Sequence, residues 1–527
     1  MKKNIIYISI CSVLAVVSVS CKKYLDTKPQ DVIVPSQYYS SESEINAAIG
    51  GIYSSLAQDG TFGRNIPIEL DMATDEAQYN NRNNNTLVPA LYDCQASTKI
   101  YSDCWSALYR GINAANMLLE SINNSPVSDA VKNLAKGEAT FIRGFNYFQL
   151  VTRFGDVPLI LKATTEVSNP NYPRTPSIQV YKQILDDMKA AEPLVKEITS
   201  IGNGSHITKT AIQGIIARVY LKMAGRPSNL GLPMYDSARV WAKKVVNSNI
   251  HSLNPNYRQI FINHSKDLYD YRESMFEIEF YGNNTPTGTL PPGSRFACQL
   301  AMRYTGADVN PLIVYGYGSY IPTGTLYDIY QKLPNDTLRR NWNIPTFTYS
   351  TNTTPRSTTA AAASPWDRDC GKWKRDEETF IPKSRDWGPT NFPVLRYADV
   401  LLMLSEAEME MGNLSDARLY LNQVRARAQT NLVTDAMSPD QVTLRGIIHD
   451  ERARELCFEG LRKFDLIRWG EFYNAMMIAK AGINASTSAN KARYLAAYNN
   501  FTLRDTLLPI PSSEISVNNQ MTQNAGW

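Results

Sequence analysis

Residues 396–428 read RYADVLLMLSEAEMEMGNLSDARLYLNQVRARA. Apolar positions recur at helical spacing on both sides of Gly412 and Asn413, which predicts two amphipathic helices joined at that pair. Two earlier stretches carry the same period. In GEATFIRGFNYFQLVTRFGDVPL (137–159), Phe141, Phe145, Phe148 and Val151 or Thr152 fall three and four apart, and Gly155 with Pro158 beyond it predicts the helix end. In ITKTAIQGIIARVYLKMAG (207–225), Ile212, Ile215, Ile216, Val219 and Met223 form the stripe and Gly225 ends it. The expected fold is mainly α.

A finer pattern runs through these segments. Gly144 precedes Tyr147 by three, Ala217 precedes Tyr220 by three, and Ser405 precedes Ala417 by twelve, with Leu421 four further on. Small residues at such offsets let tetratricopeptide helices approach closely while a larger side chain fills the neighbouring groove. Hairpins at Trp105 to Ile122 with the Phe141 segment, Ile207 to Val246, Arg396 to Ala428 and Asp440 to Met477 would make a tetratricopeptide-like scaffold of about four helix pairs. A plain helical bundle has the same periodicity. The stretch from about Gly282 to Pro393 differs: it is rich in Gly, Pro, Asn, Thr and aromatics, holds NNTPTGTLPPGS and STTAAAAS, and lacks sustained stripes. Long loops on a rigid frame commonly build binding sites. A second polar aromatic loop is DEAQYNNRNNNTLVPALYDC (75–94). The expected organisation is a leader over 1–20 and one domain over 21–527. That domain divides into an N-terminal helical part to 280, the loop-rich region 281–395, C-terminal helices 396–477 and a tail 478–527.

The 527-residue length is compatible with a large core, and a net charge of +4 without a long block of like charge gives little support to nucleic-acid binding. At the start, Lys2 and Lys3 precede an apolar stretch from Ile5 to Val19, short of the roughly 20 residues a spanning helix needs. This reads as a secretory leader that ends at Cys21. No later stretch is long and apolar enough to span a bilayer, so the mature protein is expected to be exported and otherwise soluble. VSVSC resembles the lipobox of bacterial lipoproteins, with Ser18 where leucine is usual, and implies a lipid (palmitate) on Cys21 with KKYLDTKP as a tether. Cys94, Cys104, Cys298, Cys370 and Cys457 form neither a disulfide framework nor a zinc pattern. Cys94 and Cys104 are close enough in sequence to bridge in an oxidising compartment, and Cys457 reads as a buried thiol.

The most enzyme-like feature is ERARELCFEGLRKFD (451–465), where Glu451, Glu455 and Glu459 repeat every four residues and invite a paired-carboxylate glycosidase reading. Arg452, Arg454, Arg462 and Lys463 are interleaved with them, which favours ionised partners in a structural charge network. His206, His251, His264 and His449 form no HExxH, GNGSH (202–206) reads as a turn, and no GxSxG elbow or EF-hand loop occurs. No catalytic residue or cofactor is expected; Asp and Asn are abundant enough to leave a structural calcium open, without a motif that points to one.

Four blocks in order carry a resemblance: 137–159, NFPVLRYADVLLMLSEAE from Asn391, ERARELCFEGLRKFDLIRWG from Glu451, and the tail LLPIPSSEISVNNQMTQNAGW, with CKKYLDTKP after the leader. Together they resemble the SusD/RagB family of nutrient-binding outer-membrane lipoproteins. The tail departs only in Ala525, where the family usually has proline. The resemblance implies a tetratricopeptide-containing frame with a ligand site in irregular loops, anchorage on the outer face of the outer membrane, and a TonB-dependent transporter as partner. It also implies delivery of oligosaccharides or, in some members, peptides; a surface glycoside hydrolase is the reading from a different class.

Sugar rings offer an apolar face and a hydroxyl edge, so capture needs aromatic planes beside amide or guanidinium donors. Composition points to Tyr79, Asn80, Arg82, Asn84 and Tyr92 in the first loop, and to Tyr304, Tyr315, Tyr317, Tyr320, Trp342 and Trp366 in the second region. For each, a loop aromatic packed onto the frame is the competing reading. Trp105, Trp241, Trp373 and Trp469 are assigned to packing, and Trp387 is left open.

Overall fold

The computed structural model describes residues 39–164, 171–282, 293–305, 315–350 and 357–527. The leader, Cys21, its tether and most of NNTPTGTLPPGS lie outside the described residues. The helices used below are α1 (Glu42–Ser54), α2 (Lys99–Ser121), α3 (Asp129–Phe154), α4 (Ser177–Ala191), α5 (Lys209–Ala224), α6 (Leu232–Asn247), α7 (Tyr257–Lys266), α8 (Gly324–Gln331) and α9 (Thr337–Asn343). The C-terminal set is α10 (Tyr397–Glu410), α11 (Leu414–Arg427), α12 (Gln441–Leu456), α13 (Arg462–Trp469), α14 (Phe472–Ala485) and α15 (Lys491–Asn500).

The sequence stripes become packed faces. In α3, Phe141, Phe145 and Val151 are buried, and Gly155 caps the helix at φ 73°, a left-handed conformation that glycine adopts without a Cβ penalty. Helices α2 and α3 pair, as do α3 and α4, α5 and α6, and α10 and α11, while α10 also packs on α6. The small residues lie where these pairs touch. A Cβ on Gly144 would stand 3.1 Å from Asp187 Cβ of α4. In the α10–α11 pair, Ser405 Oγ donates to the Ala417 carbonyl at 2.7 Å with both residues buried. The expected pair over Asp440 to Met477 is built differently: α12 packs on α10, and the chain then turns into the short α13 and into α14.

Among the described residues, six short strands punctuate the helices in two-stranded ladders: β1 (Ala77–Tyr79) with β3 (Tyr320–Pro322), β2 (Ser274–Ile278) with β6 (Phe392–Arg396), and β4 (Phe347–Tyr349) with β5 (Thr358–Ala360). All three are antiparallel. The β2–β6 ladder, with Ser274 opposite Arg396 and Ile278 opposite Phe392, closes the two ends of the irregular region onto each other. That region is therefore an excursion from a fixed base, and α10 starts where β6 ends. Among the described residues no helix is long and apolar enough to cross a membrane, and the described cysteines are free and buried, so Cys94 and Cys104 are unbridged here.

Candidate functional site

A charged hub holds the base of the loop region. Glu451 accepts from Arg425 and Arg454 and forms an ion pair with Arg339 at 2.8 Å, and Glu455 accepts from Arg339, Arg396 and Arg427. Glu459 takes Lys372 at 2.5 Å and Arg396 at 2.7 Å. All three carboxylates are buried. Burial alone would raise the Glu455 carboxyl, but Arg427, Arg396 and Arg339 reverse this and hold it at about 2; Glu451 is likewise held well below the usual carboxylate range. All three are partners in a structural charge network, as expected. The geometry differs in two respects. Helix α12 ends at Leu456, and Phe458 and Gly460 are left-handed at φ 65° and 72°, so Glu459 is delivered by a turn rather than by a helix face. Of the four cations expected as partners, only Arg454 binds one of these glutamates. Arg452 pairs with Asp399 and Asp465, Arg462 with Asp75, and Lys463 donates to the Leu70 carbonyl.

Lys372 links this hub to the loops. Its ammonium also donates to the carbonyls of Glu455 and Cys457 at 3.0 and 2.8 Å, and the chain just before it forms the wall of an open cleft of about 510 Å³. Arg82 and Arg303 contribute to that cleft from their loops, and Thr348, Tyr349 and Thr359 from the β4–β5 hairpin. Asp367, Arg368 and Asp369 complete it. Each is fixed from behind. Asp367 Oδ1 accepts from Ser488 and Asn490, both at 2.8 Å, and from Tyr494 at 3.2 Å. Thr348 donates to Asp369 at 2.7 Å, and burial raises that carboxyl above its usual range. Arg368 donates to the Ala362 carbonyl at 3.0 Å and lies over the Tyr327 ring at 5.0 Å. Arg82 donates to the Gly318 carbonyl at 2.8 Å.

Of the residues expected from sequence, only Arg82 lines the cleft. Tyr315 and Tyr317 form a second, partly exposed group beside it: their rings meet edge to face at 4.8 Å, Arg385 lies 4.4 Å over Tyr315, and the Tyr317 hydroxyl donates to Asp386. Arg375 holds this loop in place, donating to the carbonyls of Tyr315, Ser384, Arg385 and Trp387. Tyr79 is half-buried, 5.4 Å from the Tyr320 ring, with its hydroxyl accepting from Asn85, and Asn84 is exposed. The remaining expected residues are packed inside. Asn80 pairs its backbone with Ser319, Tyr92 donates to the Ala73 carbonyl at 2.6 Å, and Trp342 donates to the Lys372 carbonyl at 3.0 Å. Tyr304 and Tyr320 are each 1% exposed. Trp366 is 5% exposed because its indole covers Gly324 of α8, where any Cβ would collide with it. These rings serve the frame, the competing reading stated above. Sequence reasoning missed Arg303, Thr348, Tyr349, Asp367, Arg368 and Asp369; the signal was the charged triplet directly after Trp366.

Two other cavities have different chemistry. One, of about 580 Å³, is walled by apolar side chains including Tyr181, Pro227, Phe472 and Leu507, with Lys222 in its wall. The other is a small space of about 70 Å³ among Phe62, Phe145, Phe392 and Phe464. The first sets Arg226, Asn229 and Ser177 beside its rings but has no carboxylate acceptor in its lining, and the second is too small to admit a sugar ring.

Comparison with known proteins decides the family. The SusD family model matches residues 302–527, and a second model, described as starch-binding associating with outer membrane, matches 23–221. The chain belongs to the SusD/RagB family. SusD-like protein P25 of Formosa agariphila is 24% identical over 95% of this chain and 94% of its own length. The starch-binding protein SusD of Bacteroides thetaiotaomicron is 30% identical over 30% of this chain and 25% of its own. A crystal structure of a SusD homolog from B. thetaiotaomicron superposes with a TM-score of 0.84 at 25% identity, covering 94% of this chain and 98% of that one. A laminarin-binding SusD-like protein shares the fold at a TM-score of 0.71 and 20% identity, covering 93% of this chain and all (100%) of that one.

Proposed function

We propose that this protein is a cell-surface glycan-binding lipoprotein that captures oligosaccharides and delivers them to a TonB-dependent transporter in the outer membrane. The observation that carries this reading is the open cleft on a SusD-family frame, where guanidinium donors, carboxylate acceptors and the Tyr349 ring stand together. Such a lining suits a ring with one apolar face and a hydroxylated edge. The starch-binding and laminarin-binding relatives support a glycan ligand, and the outer-membrane description of the matching family supports the location. The mechanism is capture without bond breaking. The conspicuous glutamates of residues 451–459 are consumed by the hub, so none is free to act as an acid. The lipid on Cys21 holds the protein at the membrane through the polar tether.

The test is incubation of the purified mature chain with a glycan panel, reading both retention and products. Retention without turnover is expected. Released products would make it a hydrolase, and binding of peptides alone would redirect the reading to the peptide-binding members. Co-purification from outer membranes with a TonB-dependent receptor tests delivery; its absence there removes the proposed partner.

A further inference from the structure

The buried arginines of the hub are all paired with carboxylates. In and around the hub, Arg339, Arg396, Arg425, Arg427, Arg452 and Arg454 all lie within ion-pair distance of Glu or Asp. The cleft breaks this habit. Among the described residues, no carboxylate lies within 4.0 Å of the guanidinium of Arg82, Arg303 or Arg368; the bonds of Arg82 and Arg368 go to carbonyl oxygens. The two carboxylates that line the same cleft are held by protein donors and offset two of its three positive charges, Asp369 acting on both Arg82 and Arg303, which leaves an excess of one guanidinium. Asp367 takes Ser488, Asn490 and Tyr494, and Asp369, 7% exposed, takes Thr348. A further guanidinium, that of Arg493, stands near enough to Arg82 to act on it. Desolvation, with Arg303 adding to it and Asp369 only partly opposing it, pushes the Arg82 guanidinium down to about 10.

Gathering like charges in an open cleft is unfavourable unless something of opposite sign joins them. A guanidinium is built to grip planar carboxylate or tetrahedral sulfate through paired N–H donors. We propose that the oligosaccharide taken by this cleft is acidic, bearing carboxylate or sulfate groups that pair with Arg82, Arg303 and Arg368. This rests on the glycan-binding reading above and narrows it.

The experiment is calorimetric titration of the full mature chain with three length-matched oligosaccharides: a neutral glucan, a polyuronate and a sulfated galactan. At low salt an acidic arm is expected to bind at least about tenfold tighter than the neutral one, a difference of about 1.4 kcal/mol, and to weaken as sodium chloride is added. Which acidic arm binds distinguishes carboxylate from sulfate. The double variant Arg303→Gln/Arg368→Gln is expected to keep its melting temperature and lose the preference. Equal or tighter binding of the glucan overturns the proposal while leaving glycan capture standing, as does an acid preference that survives in a folded double variant. Binding of none of the three removes both readings.

Discussion

The Arg396 guanidinium holds both carboxylate oxygens of Glu459, Nε to Oε2 at 2.8 Å and Nη2 to Oε1 at 2.7 Å, across 63 positions of sequence. This bidentate pair joins the last residue of β6 to the turn that follows α12, and so fixes where the loop excursion returns to the helices. Removing one partner of a buried pair leaves the other charge uncompensated. Arg396→Ala is expected to cost about 3–5 kcal/mol, read as a shift of the denaturant midpoint. A variant within about 1 kcal/mol of wild type would show that the hub is not what holds the base closed.

Buried ion pairs, in the hub and beside it between Glu406 and Arg468, set the acid limit. Glu455 and Glu406 are held at about 2 in the folded protein, after burial is outweighed by Arg427 and Arg396 for the first and Arg468 for the second, against a reference of 4.5. A depressed folded value means that the unfolded chain binds protons first as pH falls, so their contribution is whole above about 4.5 and disappears towards 2. Melting temperature should fall steeply below pH 4.5, and Glu455→Gln should start lower and fall less steeply.

Lys222 predicts a slope of the same sign in a higher pH window. Burial, with Arg468 adding to it, pushes its ammonium down to about 7, and its hydrogen bond goes to the Arg226 carbonyl at 3.3 Å. A lysine with a depressed folded value destabilises most when charged, below pH 7, and the cost fades as pH rises towards 10.5. Lys222→Met should therefore raise the melting temperature at pH 6 and show a much smaller gain at pH 10. A gain independent of pH would assign the effect to packing alone.

Tyr349 is the ring in the cleft wall. Tyr349→Ala should weaken oligosaccharide binding about tenfold, the equivalent of about 1.4 kcal/mol, whereas Tyr92→Phe, in the core, should leave affinity unchanged. Titration of both variants against wild type separates a ligand-facing ring from a structural one.

Cys21→Ser should move the protein from the membrane fraction to the soluble exported fraction, with glycan affinity retained. Fractionation and immunoblotting read the first, titration the second.

How far the sequence could be read follows from which interactions are local. The α10–α11 hairpin, its break at Gly412 and the end of α3 at Gly155 were legible because period and capping act within a few residues. The partners of Glu455 were not, because Arg339, Arg396 and Arg427 reach it from three other parts of the chain. Glu459 misled for a related reason: spacing by four continues past Leu456, although the helix does not. In the loops, composition singled out rings that the fold buries and passed over the charges that line the cleft. Trp366 and Tyr320 are conspicuous letters, but a large ring in a loop gains more by covering the frame, and the charges beside Trp366 are left to face the cleft.

Only a short step of backbone separates Asp369, at the cleft, from Lys372, sunk among the glutamates. Diet and architecture thus meet within a single span of chain and are governed by different letters of it. On the proposed reading, point changes at the rim would retune what is held while leaving the frame intact, whereas an equal change at the lysine would undo the frame itself.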